Sequence, residues 1–473
     1  MDKERLDGLS FPRDSAAQEM LEKYVREINL KEKFSLGLRL FEHLQSQGQI
    51  EMASRFLEKL EAGAYSPEQE NVLLIKRGDH LIRQSRYEEA AVCLEKAVVA
   101  LSSQPDSLNL FQAYRNLAWL YFRQGYLERA RSFTDGAGLV IEMRSPRRDR
   151  ETREAQAALF HILGLIESSG GDHQKAIGYY DQETEIWEEL GETSRLGSVY
   201  NNLSGIYRNA GRLDRAMDYQ NKSYQLAESS GEQLSLAISC NNLGEIHFAL
   251  GQYSKAEEYF KRYLEINSRI GNQVGNAFGR AGLGRICQAK GEYREAGEHY
   301  TEALRIAEMV KSPGKESSIL AEMTQLFLDQ GYIDRAMQCL DRAIALSLAI
   351  ERFSTHRHRL LNAKIILARA LAEGANRAGL EEARNLLAEL TQSPLVIEDE
   401  EAVSATELET DAWFALSRAE YSLGNRDRAR EHLAKASKII EATAELLDPE
   451  CREGFLNRKD IAQIKDWGKR IGS

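Results

Sequence analysis

The segment that decides the fold spans residues 231–271 and reads GEQLSLAISCNNLGEIHFALGQYSKAEEYFKRYLEINSRIG. Apolar and small residues recur through its first half at helical spacing. Gly251 then interrupts the pattern, at a point where a left-handed helix end costs glycine little. A second helical stretch follows and ends at Gly271. The segment therefore predicts two helices joined by a short turn.

The same pattern repeats along the chain with a period of 40 residues. Each copy has a glycine before its second helix and an alanine five residues later, where a small side chain lets two helices approach closely. One helix pair cannot bury both of its apolar faces, so neighbouring pairs must stack into a solenoid. The fold is therefore predicted to be all-α. The glycines in question are Gly171, Gly211, Gly251, Gly291 and Gly331.

These repeats resemble a known family, the tetratricopeptide repeat. The 40-residue period is similar to the longer repeats of the Pins/LGN adaptors and the kinesin light chains. The resemblance implies a right-handed superhelical solenoid of about ten antiparallel helix pairs. The positions that carry it in one copy are Leu243, Gly244, Gly251, Tyr253, Ala256 and Phe260.

The repeat pattern also predicts how the chain is divided. The solenoid is expected over 34–444, with its best-matching repeats in 153–350 and weaker copies on both sides, such as those near Gly48 and Ser85. The ends, 1–33 and 445–473, are helix-forming but do not repeat, as expected of capping helices. Long loops are predicted at 145–152 and 391–404.

Composition narrows the class of protein. The 473 residues include 62 Lys and Arg against 73 Asp and Glu, a net charge of −11, which argues against nucleic acid as a partner. Neither a signal peptide nor an apolar run of membrane-spanning length is found in the sequence, so no membrane insertion is expected. The five cysteines lack metal-binding or C-x-x-C spacing, which favours reduced thiols in the cytoplasm.

No motif of catalysis or cofactor binding is recognisable, so we expect neither an enzyme nor a cofactor or metal site. Three weaker patterns favour simpler interpretations. The glycine run 271–284 suits close helix packing better than dinucleotide binding, because no strand precedes it. His356 and His358 are predicted in a basic exposed turn rather than at a metal. The acidic run 397–401 is predicted to be a solvated loop.

Polar residues recur at fixed positions of the first helices. Asn201–Asn202 and Asn241–Asn242 lie 40 residues apart, and Arg115–Asn116 takes the same position in an earlier copy. The family resemblance implies that this helix faces a concave groove, where amides pair with an extended peptide. Alternatively, the asparagines cap or bridge neighbouring helices. The candidate partner-binding residues are Arg115, Asn116, Trp119, His161, Asn201, Asn202, Arg208, Asn209, Asn241, Asn242, Glu245, Phe248 and Arg285.

These patterns favour a non-catalytic adaptor that binds another protein in its groove, as an extended peptide, a helix or a small domain. Arginines inside the curve suit an acidic ligand. One alternative is a ligand- or peptide-gated regulator similar to bacterial signalling proteins, and another is a non-catalytic subunit of an enzyme complex. The sequence leaves the oligomeric state open.

Overall fold

The computed structural model describes residues 15–27, 29–46, 49–63, 65–84, 86–145, 149–349, 356–392 and 404–472. Every regular element in these ranges is an α-helix. Gly48, Ser85, residues 146–148 of the first predicted loop, residues 393–403 of the second and the acidic run 397–401 within it lie outside the described residues. Residues 150–152 of the first predicted loop belong to a helix instead. The chain forms two compact units, Met1–Ile166 and Glu167–Ser473.

The first unit is built from consecutive helices joined by short connections. Its regular pairs are α4 with α5 and α6 with α7, each packed side by side around a core that includes Leu94, Phe111 and Leu117. The helices are α1 (Ser15–Arg26), α2 (Leu30–Ser46), α3 (Ile50–Glu61), α4 (Pro67–Arg83), α5 (Tyr87–Leu101), α6 (Leu108–Arg123), α7 (Leu127–Arg144) and most of α8 (Arg150–Ser169).

The second unit continues the helix pairs. Its first helices are even-numbered from α10 to α20, and each packs against the odd-numbered helix that follows. Short connections between neighbours make each pair antiparallel. The helices are α9 (His173–Leu190), α10 (Thr193–Asn209), α11 (Leu213–Ser230), α12 (Gln233–Ala249), α13 (Tyr253–Ile270), α14 (Gln273–Lys290), α15 (Tyr293–Met309), α16 (Pro313–Asp329), α17 (Ile333–Ala349), α18 (His356–Ala372), α19 (Arg377–Gln392), α20 (Ala405–Ser422), α21 (Arg426–Glu445), α22 (Pro449–Leu456) and α23 (Lys459–Gly472).

Glycine ends these helices as the sequence predicts. Gly271 caps α13 with φ of 75°, and Gly251 turns the chain between α12 and α13 with φ of 71°. Both values lie in the left-handed region, which glycine adopts without the steric penalty that other residues incur. The predicted helix–turn–helix of 231–271 is thereby confirmed.

Small residues allow the helices of a pair to touch. A Cβ added to Gly282 would approach the Phe260 ring to within 2.7 Å, and one on Gly284 would approach the Tyr300 ring to within 2.8 Å. The glycine run in α14 therefore serves helix packing, as predicted. The five period alanines are also fully buried, namely Ala176, Ala216, Ala256, Ala296 and Ala336.

The prediction of a basic exposed turn around His356 and His358 is wrong. This stretch begins α18, where Arg357 and His358 are 6% and 3% exposed. Arg357 pairs with Glu322 of α16 at 2.8 Å, and the Nε2 atom of His358 lies 3.4 Å from the Ser317 hydroxyl. The many basic residues in this stretch suggested that it is exposed. The ion pair with Glu322, however, makes the burial of Arg357 tolerable.

Within the second unit, the C-terminal helices fold back onto the repeats of α10–α13. Leu213 and Ile246 from those repeats share an apolar cluster with Leu433, Phe455 and Ile461. The last helices therefore do more than cover the end of the array: they contact its middle.

Candidate partner-binding site

Three amides from α10, α11 and α12 meet in a set that we call the amide cluster: Asn201, Gln220 and Asn242. The Asn242 Nδ2 atom donates to Asn201 Oδ1 at 2.7 Å, and Gln220 Nε2 donates to the same oxygen at 3.3 Å. Gln220 is fully buried, whereas the two asparagines are half-buried. Asn201 and Asn242 thus bridge neighbouring helix pairs, which is the second of the two interpretations that the sequence allows.

Beside the amide cluster, two asparagines keep hydrogen-bonding capacity. Asn241 donates to Asn242 Oδ1 at 3.3 Å, which leaves its own carbonyl oxygen available. Asn202 is half-buried, like Asn201 and Asn242, and makes no side-chain hydrogen bond within the described part of the chain. These two side chains can meet a ligand without breaking the bridge.

Towards the carboxyl ends of the same first helices lies an ionic cluster of Arg208, Glu245 and Arg285. The Arg285 Nη2 atom lies 2.5 Å from Glu245 Oε2, and Arg208 Nη1 lies 3.9 Å from the same oxygen. Arg285 and Glu245 are 7% and 8% exposed, and the Arg285 guanidinium lies 4.5 Å from the centre of the Phe248 ring. Arg208, Glu245 and Arg285 were all predicted to bind a partner, and in the structure both arginines pair with Glu245.

Electrostatics hold this cluster in its charged form. Burial alone would lower the pKa of Arg285, but the carboxylates of Glu245 and Glu322 outweigh burial and raise it. Because two cations share one carboxylate, the cluster of Arg208, Glu245 and Arg285 carries an excess positive charge.

A contact with the C-terminal helices lies next to the ionic cluster. We call Glu407, Gly454 and Arg458 the C-terminal contact. The Arg458 Nη1 atom donates to the Ala249 carbonyl at 2.9 Å and to Glu407 Oε1 at 2.7 Å. Burial would raise the pKa of Glu407, but the Arg458 charge and hydrogen bond lower it to about 2. The last turn of α12 is thus bound by the chain itself.

Sequence reasoning missed the C-terminal contact. Gly251 lies so close to Gly454 that a Cβ would overlap the Gly454 carbonyl oxygen. In the sequence, however, Gly251 cannot be distinguished from the other glycines that recur every 40 residues, and Arg458 lies outside the repeats. A contact between residues about two hundred positions apart leaves no periodic signal.

The remaining predicted residues lie in two places. In the first unit, Arg115 donates to Asn116 at 3.1 Å, the Trp119 ring stacks on Phe122, and His161 is half-buried on α8. In the second unit, the backbone carbonyl oxygen of Asn209 accepts from the Thr406 hydroxyl at 2.7 Å.

Neither metal ligation nor membrane crossing is supported by the described helices. In the described ranges, no group of three or more His, Cys, Asp or Glu side chains could hold a metal ion. Within those ranges, too, no helix is long and apolar enough to cross a membrane.

The geometry defines a class of protein built from stacked antiparallel helix pairs with polar first-helix faces. Models of the tetratricopeptide repeat match residues 69–133, 154–229, 195–269, 281–313 and 410–443, together more than half of the chain. The chain belongs to the tetratricopeptide repeat family. No match is found among curated proteins.

Solved structures show the same fold. A Rap protein complexed with competence and sporulation factor is 14% identical, with a TM-score of 0.55 over 81% of this chain and 100% of that one. Aspartyl phosphate phosphatase F from Bacillus subtilis is 13% identical, with a TM-score of 0.51 over 80% of this chain and 95% of that one. At such identities, the likeness concerns the fold alone.

Proposed function

We propose that this protein is a non-catalytic adaptor that binds a segment of a partner protein on the first-helix face of α10 and α12. The observation that carries the proposal is the spare bonding capacity of two half-buried amides, Asn202 and Asn241, beside a bridge that already satisfies Asn201 and Asn242. An amide offers both a donor and an acceptor, which matches the backbone of an extended peptide.

The charge of the neighbouring cluster supports a preference for acidic segments. Arg208 keeps part of its side chain exposed while Glu245 is shared with Arg285, so a ligand carboxylate would find an incompletely neutralised guanidinium. All five cysteines are free thiols, which fits a reducing compartment such as the cytoplasm.

The test is selection of peptides from a phage-displayed random library, followed by binding measurements on variants. We expect Asn202→Ala with Asn241→Ala to weaken binding of the selected peptides about tenfold or more, since two hydrogen bonds to the ligand are lost. The free energy of unfolding should fall by no more than about 1 kcal/mol, for the one hydrogen bond from Asn241 to Asn242. The matched control is Asn221→Ala, an exposed asparagine on α11 in the same repeat. Equal binding by the double variant and the control would refute the assignment of this face.

A second candidate is a ligand-gated regulator, which the C-terminal contact favours. Because Arg458 joins α12 to the C-terminal helices, a ligand that alters this contact would change the shape of the second unit. Small-angle scattering with a selected peptide should then show a change in the radius of gyration. An unchanged radius of gyration at saturating peptide would contradict the regulator and favour the adaptor.

The third candidate, a non-catalytic subunit of an enzyme complex, shares the adaptor's binding chemistry. It differs in that the captured partner would be an enzyme. Turnover by the purified chain alone would contradict all three proposals.

A further inference from the structure

The second unit contains a partly open cavity of about 540 Å³, and no residue of the amide cluster or the ionic cluster lines it. Residues from its early helices, such as His173 and Asn209, form one side of the cavity. Residues from the late helices, such as Leu408 and Thr443, form the other. Its volume falls within the range of pockets that hold small molecules.

Most of the wall is apolar. Leu360, Leu390 and Leu408 are each 4% exposed, and Ala412 is 5% exposed. Burying an apolar body against such side chains is the main source of affinity for a small ligand. The cavity therefore selects a molecule with an apolar body rather than a sugar or a nucleotide.

The polar part of the wall favours a hydrogen-bond donor with positive charge. Glu409 is the one carboxylate among the described wall residues, and no Lys or Arg is found among them. Its Oε1 atom accepts from the Trp413 Nε1 atom at 3.3 Å, so Oε2 is the oxygen that would pair with a ligand. Asn209 Oδ1 is a buried acceptor without a hydrogen-bond partner in the described part of the chain. Burial lowers the pKa of His173 and thereby keeps that imidazole neutral near neutral pH.

Helix ends contribute partial charges of both signs to the cavity. The cavity lies at the carboxyl ends of α10, α19 and α21, where each helix contributes partial negative charge. The amino ends of α9 and α20 also reach it and offset part of this field. The negative side chain of Glu409 then decides the sign of the electrostatic field in the cavity.

We propose that this cavity binds a small amphipathic amine, whose apolar body packs on the leucines and whose ammonium group pairs with Glu409. Such an occupant would touch both α10 and α20–α21, so it would hold the early and late helices of the second unit together. The proposed site is separate from the peptide-binding face and does not depend on it.

The test uses three probes with one apolar body: phenylbutylamine, phenylbutanol and phenylbutyric acid. Titration calorimetry on the full chain should show the amine binding most tightly and the acid least. In Glu409→Gln, the affinity for the amine should fall about tenfold, because one charge-assisted hydrogen bond is lost, while the affinity for the alcohol should stay the same. The matched control is Glu441→Gln, an exposed carboxylate on α21 outside the cavity.

A second variant tests the location. Ala412→Phe fills the cavity and should abolish binding of both the amine and the alcohol, and a cooperative thermal transition verifies that this variant is folded. Equal amine binding by the wild type and Glu409→Gln, or tighter binding of the acid, would overturn the charge assignment. Failure of all three probes to bind at millimolar concentration would overturn the site itself.

Discussion

The amide cluster and the ionic cluster share helices α10 and α12, yet they differ in what each leaves for a partner. Asn201 and Asn242 are neutral and half-buried, and Asn202 and Asn241 beside them keep bonding capacity. Glu245 and Arg285 are charged, buried and paired, and Arg458 binds the adjacent turn of α12. The difference teaches that one helix face can leave amides available at its centre while its end, which we call the closed end, is held by the C-terminal helices of the same unit.

Removing Arg458 should break the closed end and give the largest effect. Arg458→Ala leaves Glu407 Oε1 and the Ala249 carbonyl without the guanidinium donor, and removal of the buried partner of this ion pair should cost about 3 to 4 kcal/mol. Urea unfolding followed by circular dichroism measures the loss, and hydrogen exchange should rise in α22 and α23.

The control for this change is Arg452→Ala, an exposed arginine on the same C-terminal segment. We expect the control to stay within about 0.5 kcal/mol of the wild type. If the two variants unfold alike, the C-terminal contact contributes no stability and the closed end is only a surface contact.

Lowering the pH should have the next largest effect, because His358 is buried beside the Arg357–Glu322 ion pair, whose carboxylate also acts on Arg285 of the ionic cluster. Burial, aided by the charge of Arg357, lowers the pKa of His358 from 6.5 to about 4. Between these values the unfolded chain binds a proton that the folded chain does not. Stability should therefore fall as the pH drops through this window, by about 3 kcal/mol in total.

The variant His358→Gln removes this titration and keeps a hydrogen-bonding group near Ser317. Its unfolding free energy should change less between about pH 7 and about pH 4.5 than that of the wild type. The same pH dependence in both proteins would assign the effect to other groups.

Two glycines with the same backbone conformation test the closed end by sterics alone. Gly251 and Gly271 have φ of 71° and 75°, so alanine strains both alike, by about 1 kcal/mol. Only at Gly251 would the new Cβ overlap the Gly454 carbonyl oxygen, whereas nothing lies within 4 Å at Gly271. We expect Gly251→Ala to lose about 2 kcal/mol more than Gly271→Ala in thermal unfolding. Equal losses would mean that α22 moves away freely.

The same pair of glycines shows how far sequence reasoning reaches. The 40-residue period predicts both turns, the buried alanines and the polar register, because each depends on residues within one helix pair or its neighbour. It cannot separate Gly251 from Gly271, since their difference comes from a segment about two hundred residues away. In a solenoid, contacts within a helix pair or between neighbouring pairs repeat along the chain, whereas a contact between distant segments does not.

The sequence predicts where the recurring asparagines of the first helices lie, but not the hydrogen bonds that they make. Asn201 and Asn242 occupy adjacent positions of the repeat on α10 and α12, but which amide nitrogen donates to which oxygen depends on the distance between these helices. The buried Gln220 of α11 completes the cluster, and its position outside the first helices gave no reason to include it.

The smallest expected effect tests whether the amide cluster is structural while its neighbours are available to a ligand. Asn242→Ala removes the donor to Asn201 Oδ1 and should cost about 1 kcal/mol in urea unfolding. Asn202→Ala removes no hydrogen bond described in the chain and should change stability by less than about 0.5 kcal/mol. If Asn202→Ala cost as much as Asn242→Ala, its amide would have to be engaged within the fold. The centre of the face would then be held by internal contacts, just as its closed end is.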